Sequence, residues 1–162
     1  MTKDQAEGYA QLIKHSDGSL STPGNQPIMH WAFSYIGTPW VNGAQGPDAF
    51  DCWSFFRHVQ ATHFGISVPA YRIDANDFKK TATEFAQSTE RAEWLRALAP
   101  SEGCAVLMAH CRFPSHVGLW LDVDGGGVLH CVRGEGVVFS ALSSLKNSGW
   151  GRVEYYQHAS HA

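Results

Sequence analysis

The sequence predicts an α+β domain, with helices gathered in its first part and an antiparallel sheet in its second. Up to Pro100 the apolar residues recur at helical spacing, as in Phe55, Phe56, Val59 and Phe64. After Gly103 the period drops to two, with Val117, Leu119 and Leu121 alternating with His116, Gly118 and Trp120. Between two such runs, Asp122-Val123-Asp124-Gly125-Gly126-Gly127 has the composition of a hairpin turn. Helices followed by strands, with no βαβ alternation, imply segregated layers. At 162 residues the chain suits one domain with a sizeable core.

In order, residues 3–14 read as a short helix and Ser16–Gln26 as a loop rich in Ser, Gly and Pro. Residues 1–26 are therefore taken as an N-terminal arm and 27–162 as the domain. Pro27 suits the first turn of a helix carrying Met29, Trp31, Ala32, Tyr35 and Ile36 as far as Gly37. A Gly- and Pro-rich loop from Gly37 to Asp48 leads to a second helix. Asp51 is its N-cap, Cys52 lies in its first turn, and it stops at Gly65, before Val68-Pro69. Asn76 or Asp77 caps a third helix with Phe78, Ala82, Phe85 and Ala86 on one face. That helix breaks near Gln87–Thr89 or runs through Trp94 and Leu98 to Pro100. Strands are expected at Cys104–Ala109, His116–Asp122, Val128–Val132, Val137–Ser140 and Val153–Gln157, with a helical turn around Leu142–Lys146.

Composition narrows the function classes. The chain is 44% apolar and 17% charged with a net charge of −3, and it has no block of like charge. That pattern predicts no nucleic-acid partner and no anionic-membrane footprint. Six Trp and nine His hint at a cleft lined with aromatic rings. The opening Met1-Thr2-Lys3-Asp4-Gln5 leads into no apolar run, so neither a signal peptide nor membrane insertion is expected. Synthesis in the cytoplasm follows, with any export by another route. Cys52, Cys104, Cys111 and Cys131 form no C-x-x-C pair and are expected as free thiols.

Cys52 is the candidate nucleophile. A thiol in the first turn of a helix faces unpaired backbone N–H groups and the positive end of the helix dipole, which favour thiolate. Taken alone, a cysteine is more often a core residue, so Cys52 needs a base, and the base an orienting group. His116 opens the first clear strand, and the small Gly118 leaves room beside it. His130 lies on the next strand, where a neutral imidazole can accept a hydrogen bond from His116 and fix its tautomer. A tight turn at Asp124-Gly125-Gly126 would offset the two by about three or four residues, roughly 10–13 Å along the strands. On that register they meet only through a bulge or strong coiling; His110 is the reserve orienter.

Gly37-Thr38-Pro39-Trp40, Gly43, Gly46-Pro47 and Phe50-Asp51-Cys52 together resemble the active-site approach of the NlpC (p-sixty) family of cell-wall cysteine peptidases. Ser115-His116-Val117-Gly118-Leu119-Trp120-Leu121 is similar to the family's histidine strand, and Leu129-His130-Cys131 to the strand of its third catalytic residue. The resemblance spans about residues 27–157. Gly-Thr-Pro-Trp followed by Asp-Cys-Trp resembles the branch encoded with phage tail genes.

This resemblance implies a papain-like α+β fold, with the nucleophile helix packed on a central antiparallel sheet. It implies hydrolysis of peptidoglycan stem peptides, usually between γ-D-glutamate and a diamino acid, with phage tail proteins as further partners. Carried over, Cys52 is the nucleophile, His116 the base and His130 the orienter. Trp40, Asp51, Trp53 and Ser54 fall at positions expected to meet substrate. Trp40 stands where relatives place a Tyr, and Asp51 is suited to a substrate amine. The family's Ser-Gly after the cysteine is Trp53-Ser54 here, and its Gly-Asp before the first strand is Gly103-Cys104. No metal or cofactor is implied.

Two other readings share these residues. His110, Cys111, His116, His130 and Cys131 are all zinc ligand types on adjacent strands, although their spacing fits no standard zinc pattern. A peptidase-like domain could also serve a tail assembly without cutting. A permuted lipid acyltransferase relative is disfavoured, because there the histidine precedes the cysteine.

Overall fold

A computed structural model describes residues 30–70 and 93–162, with short backbone stretches at 13–14, 20–21 and 27–28 and residue 80. Six antiparallel strands form the central sheet: β4 (Trp94–Ala97), β5 (Ala105–Ala109), β6 (His116–Leu121), β7 (Gly127–Val132), β8 (Gly136–Ala141) and β9 (Arg152–His158). Their order is β4-β9-β5-β6-β7-β8. Helix α1 (Cys52–His63) packs over β6 and β7, and the short α2 (Leu142–Asn147) follows β8. The architecture is α+β, as the change of period at Gly103 predicts.

Alternation along the strands divides the core in two. Val117, Leu119, Leu121, Leu129 and Cys131 join Phe55, Phe56 and Val59 of α1. Cys104, Val106, Met108, Trp120 and Val128 pack with Leu145 of α2 in the second cluster. Each apolar side chain so buried contributes about 1.5–3 kcal/mol, so α1 is held by its packed face more than by helix propensity. Its start is also locally specified. Asp51 Oδ1 accepts from the Ser54 N–H at 2.7 Å, and Ser54 Oγ accepts from the Asp51 N–H at 3.0 Å, a capping box with serine at the third position. Phe64 caps the other end, and Gly65 follows at φ +68°.

Three expectations about the elements change. Pro27–Ile28 is a strand, β3, paired with β2 (Leu20–Ser21), which in turn pairs with β1 (Ile13–Lys14). This small sheet replaces helix at both Ile13–Lys14 and Pro27. The segment after it is only a 3-10 turn, Trp31–Ser34, capped by His30, whose Nδ1 accepts from the Ala32 N–H. Ser34 Oγ donates to the Trp31 carbonyl at 2.7 Å, the local bonding by which serine competes with a continuing helix. Finally, Trp94–Ala97 is an edge strand on β9, with Trp94 opposite His158, so no helix runs to Pro100. Trp94 is buried and packs on Phe56 of α1, a tertiary contact that outweighs the helical spacing. The helix expected from Asn76 or Asp77 lies outside the described residues.

Candidate active site

Cys52 is the first residue of α1, where the approach loop hands the chain to the helix. That loop is tied down at several points. Gly37 N–H donates to the Val137 carbonyl and Val137 N–H to the Thr38 carbonyl, both at 2.9 Å, which fastens the Gly37-Thr38-Pro39-Trp40 stretch to β8. Trp40 and Gln45 each bridge to Phe50, and Ser54 Oγ donates to the Ala44 carbonyl. Gly46, at φ +86°, lies under the Phe50 ring, where an added Cβ would come within 2.2 Å of that ring. Only glycine fits there.

The thiol itself is buried, at 5% exposure. The backbone N–H groups of Trp53 and of Cys52 favour its thiolate, as a helix start should. Burial opposes them and is the larger effect; with Asp51 and Cys131 nearby, the thiol is pushed up to about 12. The resting form is therefore the neutral thiol, and the thiolate expected from the helix start alone is not favoured. Among the described residues no hydrogen bond joins the thiol to His116. Its neighbour Cys131 donates from Sγ to the Phe50 carbonyl at 3.5 Å.

His116 and His130 do meet. Nε2 of His116 lies 2.9 Å from Nδ1 of His130, and Nε2 of His130 lies 2.9 Å from Ser140 Oγ. No bulge is needed. Leu121 pairs with Gly127, Trp120 with Val128 and Leu119 with Leu129, so the turn is one residue earlier than expected. Continuing that register sets Gly118 opposite His130 and makes His116 its diagonal neighbour, within reach of a long side chain. The two histidines share the strand face of Trp120 and Val128. There Trp150 stacks on His116 with centroids 5.1 Å apart and planes at 18°, and His110 also stacks on Trp150, at 3.7 Å. Burial, reinforced by His130 and His110, holds the His116 imidazole well below the usual histidine value. Burial alone lowers His130 to about 4. Both rings rest neutral near pH 7.

Of the four positions expected to meet substrate, three are buried and engaged in other contacts. Trp53 is buried, packs on Phe56 and donates its indole N–H to the Pro69 carbonyl at 3.0 Å. Ser54 is buried in the helix cap. Asp51 is likewise buried and engaged as N-cap through Oδ1. Trp40 is half-buried, with the exposed Arg133 guanidinium over its ring at 4.7 Å.

Arg133, Ser140 and Trp150 lie beside the expected residues and were missed by sequence reasoning. Ser140 carried a signal, being the one hydroxyl in the otherwise apolar run expected as the strand Val137–Ser140. Trp150 follows a glycine outside any periodic run and carried none. Among the described residues, no group of three or more His, Cys, Asp or Glu side chains is arranged to hold a metal ion. Nor is any helix among them long and apolar enough to cross a membrane.

A sequence model of the NlpC/P60 family matches residues 37–158. The chain belongs to the NlpC/P60 family. The match begins at the glycine that opens the approach loop, ends at the last residue of β9, and contains Cys52, His116 and His130. The chain is similar to Probable endopeptidase p60 of Listeria grayi, with 27% identity over 121 residues, 75% of this chain and 20% of that protein. It thus spans about a fifth of that relative's length. Among solved structures, the NlpC/p60 domain of the peptidoglycan hydrolase SagA aligns with a TM-score of 0.48 and 22% identity, covering 77% of this chain and 90% of that one.

Proposed function

We propose that this NlpC/P60 domain is a cysteine endopeptidase that hydrolyses amide bonds in peptidoglycan stem peptides. The bond is the one between γ-D-glutamate and a diamino acid. The observation that carries the reading is the buried His116–His130 pair on β6 and β7, the strands that α1 packs over. Its imidazoles lie on the Trp120 and Val128 face of those strands rather than on the face that α1 covers.

In this mechanism His116 keeps Nδ1 free to take the thiol proton, while its Nε2–H donates to His130. Because thiol and imidazole rest neutral, proton transfer accompanies attack rather than preceding it. The Cys52 sulfur bonds to the amide carbon, and the tetrahedral oxyanion faces the Cys52 N–H at the helix start. The C–N bond then breaks as protonated His116 returns its proton to the leaving amine. Water, deprotonated by His116, adds to the thioester carbon, and the C–S bond breaks as His116 returns that proton to the Cys52 sulfur. Trp40 of the approach loop, with the Arg133 guanidinium over its ring, supplies substrate contact in this reading, and Asp51 acts through the helix cap.

The wording Gly-Thr-Pro-Trp with Asp-Cys-Trp supports a phage or prophage tail origin, with action in the periplasm or cell wall reached by a virion or lysis route. A tail-structural domain that does not cut is the second reading, favoured by the burial of both thiol and imidazole. Digestion of purified peptidoglycan by the wild type and Cys52→Ala, followed by mass spectrometry of the stem peptides, separates the two. Product from the wild type alone supports the peptidase; equal product from both removes Cys52 as nucleophile.

A further inference from the structure

We propose that Ser140 is a positioning residue of this site, holding His130 in the tautomer that accepts the Nε2 proton of His116. The proposal rests on the reading of Cys52 and His116 as nucleophile and base.

His130 is the middle of one diagonal row across three strands. On β8 it pairs with Val138, while Ser140 pairs with Val128, so Ser140 is its diagonal neighbour on one side as His116 is on the other. Both nitrogens of the His130 ring are thereby engaged, each at 2.9 Å. The ring is only 2% exposed, so neither nitrogen can turn to bulk water instead.

A neutral imidazole has one donor and one acceptor nitrogen. Two patterns are therefore available to the row. In the first, His116 Nε2–H donates to His130 Nδ1 and His130 Nε2–H donates to Ser140 Oγ; His116 Nδ1 keeps its lone pair and can take a proton from the thiol. In the second every bond reverses. Ser140 donates to His130 Nε2, His130 Nδ1–H donates to His116 Nε2, and His116 carries its proton on Nδ1, where it cannot act as a base.

Ser140 is half-buried, so its oxygen can accept from His130 while its own O–H reaches water. Removing the hydroxyl does not affect the two patterns equally. The first then leaves a buried N–H with no acceptor, whereas the second leaves only a bare ring lone pair. An orphaned buried N–H is the less tolerated of the two. Loss of Oγ therefore shifts the row toward the idle tautomer.

The test compares wild type, Ser140→Ala and Ser140→Thr on a soluble γ-D-glutamyl–diamino acid stem peptide. It is joined to two-dimensional NMR of the ¹⁵N-labelled histidine rings in each protein. We expect His130 as the Nε2–H tautomer in the wild type and a shift toward Nδ1–H in Ser140→Ala. In that variant kcat should fall about 10- to 100-fold with little change in KM, and Ser140→Thr should restore both readouts. An Nδ1–H tautomer in the wild type, or wild-type kcat in Ser140→Ala, overturns the proposal. If Ser140→Ala does not fold, the wild-type and Ser140→Thr spectra still decide. If the wild type cleaves nothing, the peptidase reading fails, while the ring spectra still report whether Ser140 holds the tautomer.

Discussion

Nε2 of His116 and Nδ1 of His130 are 2.9 Å apart although the residues are two positions out of register on neighbouring strands. The gap is closed by what is missing between them. Gly118, opposite His130, has no side chain, and a Cβ there would lie 2.9 Å from the His130 Cβ, 2.8 Å from the Leu129 carbonyl oxygen and 2.5 Å from a Val128 methyl. The imidazoles therefore touch across a position that only glycine can occupy. Burial of both rings makes a charge on either costly, and a charge on one disfavours a charge on the other.

That burial predicts a dependence of stability on pH. Folding lowers the His130 imidazole from the usual 6.5 to about 4, and His116 moves in the same direction. Between those values the unfolded chain binds a proton that the folded protein does not. Stability is thus fully present above about pH 6.5 and is lost as pH falls toward 4. His130 alone contributes roughly 3 kcal/mol to the difference. Urea midpoints at pH 7.5, 5.5 and 4.5 should decline, and His130→Gln should flatten the decline. An unchanged slope in that variant would remove His130 as a source.

Thiol labelling gives a second prediction, opposite to the one the helix start suggests. Cys111 is the one exposed cysteine, and Cys52, Cys104 and Cys131 are buried. Iodoacetamide at pH 7 should label Cys111 first. With its thiol pushed up to about 12, Cys52 should label slowly, at a rate that keeps rising through pH 9. Peptide mapping of the labelled protein reads each site. Rapid Cys52 labelling that levels off near pH 6 would mean that a thiolate–imidazolium pair exists before substrate binds.

These contrasts show what can be read from the chain. The positions of Cys52 at a helix start and of His116 and His130 on neighbouring strands are legible because cap and period are local signals. The protonation state is not legible, because burial is collective: nothing near Cys52 in sequence reveals that Cys131 and the α1 core enclose it. The register was misjudged by the position of one turn, which changed an apparent gap into a contact. The continuation of a helix through Trp94, one of two alternatives open in the sequence, is ruled out by a strand pairing with β9, some sixty residues away.

Trp150 yields a prediction about rate. Its indole stacks on His116, and His110 stacks on the same indole. Trp150→Ala should admit water to the His116 ring and raise its imidazole toward the usual histidine value. The acid limb of kcat/KM for stem-peptide hydrolysis should then move to higher pH, with a larger loss of activity at pH 6 than at pH 8. Parallel loss at both would assign Trp150 to packing alone.

Trp53 separates a core role from a substrate role. It is 7% exposed, packs on Phe56 and donates to the Pro69 carbonyl at 3.0 Å. Trp53→Ala should destabilise the domain by about 3–5 kcal/mol, the range for removing a buried aromatic side chain. Trp53→Phe keeps most of the buried ring surface but leaves the Pro69 carbonyl without its donor. It should lose less stability and keep the KM for stem peptide. Urea unfolding with steady-state kinetics on both variants distinguishes the roles. A large rise in KM for Trp53→Phe, with stability nearly intact, would return Trp53 to the substrate cleft.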